Sequence, residues 1–137
     1  MIKVKLDPEL QKTLQEIFRG FAEVQAVFLF GSVAEGRARR GSDLDLAIVT
    51  RSPALRERRL EIQAALVNAG LDPVDLVFLD GRDVVLKYEA VRPNCLVYAK
   101  DTFDRGAYYS RTIREYLDFL PYLAIQREAL KRRILRA

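Results

Sequence analysis

Apolar residues recur along this chain in two rhythms, one near 3.6 and one of short unbroken runs. The first helical rhythm is Leu10, Leu14, Ile17 and Phe18. Asp7 is placed to cap it, Pro8 suits the first helical position, Glu9 complements the positive helix end, and Gly20 is the stop. Val24 to Phe30 is then a short aromatic and β-branched run, which predicts a buried strand ending at Gly31-Ser32. Leu44-Asp45-Leu46-Ala47-Ile48-Val49 is apolar on both faces beyond Asp45, which predicts a central strand. Ser52-Pro53 opens a helix through Leu55, Leu60, Ile62, Leu66 and Val67, closed at Gly70.

Val74 to Leu79 repeats the strand pattern, Asp80 to Val91 reads as a short helix, and Leu96 to Ala99 as an edge strand. From Thr102 onward the rhythm is helical, with Ile113, Leu117, Leu120, Leu130 and Ile134 expected on one face. Pro121 is expected to kink or break that helix, because its ring removes one hydrogen bond and crowds the preceding turn. Alternating helices and strands in this order predict an α/β (α+β) architecture, a small mixed sheet flanked by helices with a C-terminal helical segment. At 137 residues the chain is expected to be a single domain, 1–137, with a core over about 7–100 and a helical extension over about 102–137.

Composition narrows the chemistry. There are no histidines, which removes a histidine general base, Ser-His-Asp and Cys-His nucleophile pairs, and His-ligated zinc. The single cysteine, Cys95, excludes an internal disulfide or a Cys-rich metal site, and fits a reducing compartment. No leader peptide or membrane-spanning run is recognisable, so a soluble, cytoplasmic protein with no membrane partner is expected. The formal charge of +4 is moderately basic. Direct nucleic-acid binding stays open but is not favoured. Arg127, Lys131, Arg132, Arg133 and Arg136 against Glu128 make a basic C-terminal tail, read first as a solvated helix face and otherwise as a contact for an acidic partner or RNA.

Carboxylates and backbone amides are therefore left to carry any catalysis. Asp43 and Asp45 are two residues apart at a strand, so they project to one side, their Cα atoms roughly 6.5 Å apart. Carboxylates so placed repel unless a cation lies between them, and hard oxygen ligands with open positions suit Mg2+. Asp75 enters the following strand in an otherwise apolar run and can join them if the two strands are neighbours. Asp72, just before that strand, and Asp80, just after it, are the alternatives. Three carboxylates would serve the two metal ions of an in-line phosphoryl displacement. Gly31 lets the backbone turn sharply after its strand, and Ser32 with the following amides can meet phosphate oxygens. Gly36 and Gly41 loosen the intervening loop. Arg37, Arg39 and Arg40 offer positive charge to a polyphosphate, and Ser42 is placed to brace the Asp43 turn. A lone Asp-x-Asp or a lone Gly-Ser is commonly a solvated strand edge; their combination at this spacing points to chemistry.

Gly31-Ser32, ten residues, Asp43-Leu44-Asp45 and a later strand Asp75 together resemble the DNA polymerase β-like nucleotidyltransferase superfamily. The wider string from Phe30 to Arg37, with Ser42 to Leu46, resembles its minimal nucleotidyltransferase (MNT) branch. Val84 to Glu89, Leu96 to Tyr98 and Tyr116 to Pro121 extend the likeness to the MNT antitoxins of HEPN/MNT toxin–antitoxin pairs, over nearly the whole chain. The resemblance implies a polymerase β-like fold and Mg2+-dependent transfer of AMP from ATP to a tyrosine of a cognate HEPN ribonuclease toxin, which silences it. It implies Asp43 and Asp45 as metal ligands, Asp75 as the third carboxylate assisting deprotonation of the incoming hydroxyl, and Gly31 and Ser32 as holders of the triphosphate. All five positions match. Two other readings stand beside it: an aminoglycoside-type small-molecule adenylyltransferase, and an antitoxin that acts by binding alone.

Overall fold

The computed structural model describes residues 7–34 and 43–136. Helix α1 (Pro8–Arg19) is capped by Asp7, whose side chain accepts from the Glu9 amide at 3.1 Å. It buries Leu14 and Phe18 completely. Strand β1 is Ala26–Phe30, two residues shorter at its start than the apolar run suggests, because Val24 packs into the core from the preceding turn. A single turn, α2 (Gly31–Ala34), follows directly, and β2 is Leu44–Val49.

The helix expected from Ser52 onward is in fact two pieces, a 3-10 helix Pro53–Arg58 and α3 (Arg59–Asn68). Only α3 presents a repeating buried pair, Ile62 and Leu66. The 3-10 segment inserts Leu55 alone, so one residue per turn is all it has to bury. Gly70 ends the helix at φ +85°, a conformation that favours glycine. Next come β3 (Val74–Leu79), α4 (Val84–Val91), β4 (Cys95–Ala99) and α5 (Arg105–Arg136). α4 begins four residues later than expected because Asp83 is its cap, accepting from the Leu86 amide at 3.0 Å.

The four strands form one sheet in the order β3-β2-β1-β4, with β1 antiparallel to both β2 and β4 and β2 parallel to β3. β2 is central and β4 lies at an edge, as their patterns predict. Alternation along β2 divides the core. Leu46 and Ile48 pack with α1 and α3 residues on one face, whereas Ala47 and Val49 pack with Ala90 and Val91 of α4 and Tyr108 of α5 on the other. No helix among the described residues is long and apolar enough to cross a membrane.

Of the kink or break expected at Pro121, the break is absent, and α5 runs unbroken for 32 residues. Its surroundings explain the tolerance: Pro121 is exposed and Leu117, whose carbonyl loses its partner, is 56% exposed, so water can take up the freed bond. The apolar residues expected on one face of α5 are mostly uncovered among the described residues. Tyr108 and Thr112 are buried, but Leu117, Leu120, Leu130 and Ile134 are exposed. Of the aromatics there, Tyr116 stacks on Tyr88 of α4 with ring centroids 3.7 Å apart, while Tyr122 faces solvent. The period is helical, but the body of the protein ends before the helix does.

Pro121→Ala is expected to restore the missing helical bond and strengthen the exposed half of α5 locally by roughly 1–3 kcal/mol. Hydrogen exchange of residues 122–136 should slow while the global melting temperature stays unchanged; a parallel rise in melting temperature would show that this half contributes to the cooperative core.

Candidate active site

The strand order brings together what the sequence spaces apart. β2 and β3 pair in parallel with Asp45 directly opposite Asp75. On its other side Asp45 is the register partner of Phe30, the last residue of β1. Asp43, exposed, stands two residues before Asp45 at the mouth of the strand. Since Ala47, Val49, Val77 and Leu79 share one face, Asp45 and Asp75 belong by alternation to that same face, the one covered by α4 and α5. Asp72 precedes β3 and Asp80 follows it; Asp80 lies at the other end of the strand, bound to Arg56.

Electrostatics single out Asp45. Its carboxyl is pushed above the ordinary value by burial first, then by the charges of Asp75 and Asp43. The sign of the consequence is fixed. A carboxyl raised in the folded state favours folding at acid pH and loses that contribution as pH rises through its folded value. Above that value the ionised Asp45 opposes folding.

Gly31 presses against the same group. It has φ +74°, in the region that favours glycine, and a methyl group built there would collide with the Asp45 carboxylate, Oδ2 foremost, and lie 3.0 Å from its Cγ. The backbone at Gly31 thus lies against the carboxylate with no side chain between them. Ser32, half-buried, follows in the single turn of α2. Arg39 and Ser42, with Arg37, Arg40, Gly36 and Gly41, lie outside the described residues. Sequence reasoning missed the wall of this site. Phe30 packs in the same apolar cluster as Leu86 of α4, so an aromatic ring stands beside Asp45 on the helix-covered face. Counting in twos from Phe28 through Phe30 would have found it.

Among the described residues no three His, Cys, Asp or Glu side chains already stand close enough to hold a metal ion. The donor set nevertheless fits a hard divalent cation. It consists of carboxylate oxygens, unrelieved repulsion is concentrated on Asp45, and a Mg2+ ion needs only one or two protein carboxylates when phosphate supplies other ligands.

Comparison with known proteins gives the same fold and family. The model of the family "Polymerase beta, Nucleotidyltransferase" matches residues 12–103, a stretch that includes all the candidate positions. No curated protein matches the chain. Among solved structures, a toxin–antitoxin complex with AMP-PNP is 24% identical with a TM-score of 0.69, covering 88% of this chain and 98% of that one. A toxin–antitoxin structure described as MntA-HepT is 21% identical with a TM-score of 0.68, covering 90% and 99%. A tri-AMPylated Shewanella oneidensis HEPN toxin in complex with MNT antitoxin is 22% identical with a TM-score of 0.64, covering 88% and 95%. At these identities the likeness establishes the fold.

Two stability measurements follow from the geometry. Asp45→Asn removes the repelled charge and is expected to raise the melting temperature by on the order of 1–3 °C, a small effect because the group is largely solvent-screened. Gly31→Ala is expected to cost about 1–3 kcal/mol in chemical denaturation, and less in an Asp45→Ala background where the colliding carboxylate is gone. Equal costs in both backgrounds would mean that φ alone, and not the carboxylate, requires the glycine.

Proposed function

Because the chain belongs to the polymerase beta nucleotidyltransferase family, we propose that it is an antitoxin that transfers AMP from ATP to a tyrosine of a cognate HEPN-type toxin, using Mg2+. The observation that carries this reading is the Asp45–Asp75 register pair, flanked by Asp43 and backed by the glycine turn at Gly31. Its support in the neighbours is that they are toxin–antitoxin structures, one with an ATP analogue and one with an AMPylated toxin.

In this reading Asp43 and Asp45 hold the metal, with Asp75 as the third carboxylate. When bound, Mg2+ neutralises charge on the phosphates and on the departing pyrophosphate. The Gly31 backbone and the Ser32 hydroxyl hold phosphate oxygens, Arg39 adds positive charge to the triphosphate, and Ser42 braces the Asp43 turn. Asp75 accepts the proton from the toxin's tyrosine hydroxyl. The phenol oxygen forms a bond to the α-phosphorus, the bond from that phosphorus to the bridging oxygen breaks, and pyrophosphate leaves with the electron pair. The whole chain, 1–137, acts as one nucleotidyltransferase domain, in the cytoplasm where ATP and Mg2+ are at hand. A protein acceptor is favoured because the neighbours are toxin–antitoxin structures, one of them with an AMPylated toxin.

The test is to mix the chain with the HEPN-type toxin, ATP and Mg2+, and to weigh the intact proteins, with Asp43→Asn in parallel. One or more AMP units are expected on the toxin, and on the order of a hundredfold less with the variant, since a charged metal ligand is lost. A stable complex with no added mass would overturn transfer and leave neutralisation by binding; mass added to an aminoglycoside without the toxin would overturn the acceptor.

A further inference from the structure

On the sheet face that carries the carboxylates, but at the opposite end of the strands, there is a second concavity of about 430 Å³. From Asp45 to Val49, which lines it, β2 rises roughly 13 Å. Its walls are the outgoing ends of β2 and β3, Lys87 of α4 and the first turns of α5. Three cations line it: Arg51, Lys87 and Arg111. None of the three forms an ion pair with a described residue. Arg111 lies instead over the Tyr108 ring, 5.6 Å from its centroid. Lys87 is half-buried, so its charge has lost part of its water without gaining a carboxylate in exchange.

Two acids share the lining, each already accepting hydrogen bonds, and Glu115, one helical turn from Arg111, acts on Tyr108 from just outside it. Asp80 accepts from Arg56 through both oxygens, at 2.6 and 2.7 Å, and those hydrogen bonds hold its carboxyl below the ordinary range. Asp104 caps α5, accepting from the Ala107 amide at 2.9 Å. Tyr108 supplies a further signal. It lines the same cavity, is nine-tenths buried, and its buried phenol oxygen has no hydrogen-bond partner. Burial pushes that phenol up to about 12, so it stays protonated, a donor with nothing to donate to. Its ring stacks on Phe28 and against Phe103, which gives the cavity an aromatic floor.

We propose that this cavity is a second ligand site, distinct from the carboxylate cluster, that takes a small phosphate-bearing anion on Arg51, Lys87 and Arg111. Three cations that form no ion pair line one concavity, and a phosphate group offers the several acceptor oxygens that three cationic donors need. The volume admits a small ligand and not a polynucleotide strand. The site needs no metal, because its charges already have the sign opposite to the ligand. That separates it from the carboxylate end of the sheet, where Asp43, Asp45 and Asp75 repel phosphate unless a metal ion lies between.

The test is calorimetric titration of the full chain with inorganic pyrophosphate in EDTA, where any metal-dependent site is silent. Saturable one-to-one binding is expected, weakened at least about tenfold in Lys87→Gln/Arg111→Gln, by the loss of two charge-assisted contacts. Arg51→Gln, at an exposed position, should weaken it in the same direction with no risk to the fold. Arg132→Gln/Arg133→Gln on distal α5 should leave the affinity unchanged. Absence of saturable binding, or equal loss in the distal variant, would overturn the assignment; the first would leave an empty basic cleft and the second only diffuse attraction to a basic chain.

Discussion

The parallel register of β2 on β3 is the constraint on which the rest depends. It sets Asp45 opposite Asp75, an arrangement that electrostatics opposes, and it is held by apolar burial on both faces of the sheet. Leu46, Ile48, Leu76 and Phe78 lock it from the α1/α3 side, and Ala47, Val49 and Leu79 from the α4/α5 side. A slip by one residue would turn every one of these side chains to the wrong face. The repulsion at the strand mouth is small beside that, since burying even one such side chain is worth about 1.5–3 kcal/mol. A hydrophobic core thus holds two carboxylates where neither would settle unaided.

Much of this was legible in the sequence because burial leaves a periodic record. Both faces of β2 are apolar beyond Asp45, so its central place could be read, and Asp7-Pro8 marked the start of α1 to the residue. Gly31 and the three aspartates could be identified by type and spacing, but their meeting could not. That Asp45 faces Asp75 depends on strand order, and periodicity carries no information about which strands pair. The exposure of the C-terminal half was not legible for the complementary reason. A helical apolar rhythm says that a helix has a face, not that the chain contains something to cover it, and among the described residues Leu117, Leu130 and Ile134 stay exposed. Arg51, Lys87 and Arg111 gave no signal at all, because their significance lies in the acids they do not meet.

The two ends of the sheet are opposite in sign. Asp43, Asp45 and Asp75 gather at one end, while at the other the carboxylates of Asp80 and Asp104 are occupied and the cations are left over. A net charge of +4 hides this division, since it averages an acidic end, a basic end and a basic helix. Phosphate chemistry is served differently by each: the acidic end calls for a bridging cation, and the basic end does not.

The reach of α5 has a hydrodynamic consequence. From Pro121 to Arg136 the helix extends about 24 Å at 1.5 Å per residue, and most of it is exposed among the described residues. Drag on a particle grows with its longest dimension, so a chain of this mass should sediment more slowly than a sphere of equal volume. Five cations along that rod, Arg127, Lys131, Arg132, Arg133 and Arg136, against Glu128, lie beside its exposed leucines and isoleucines.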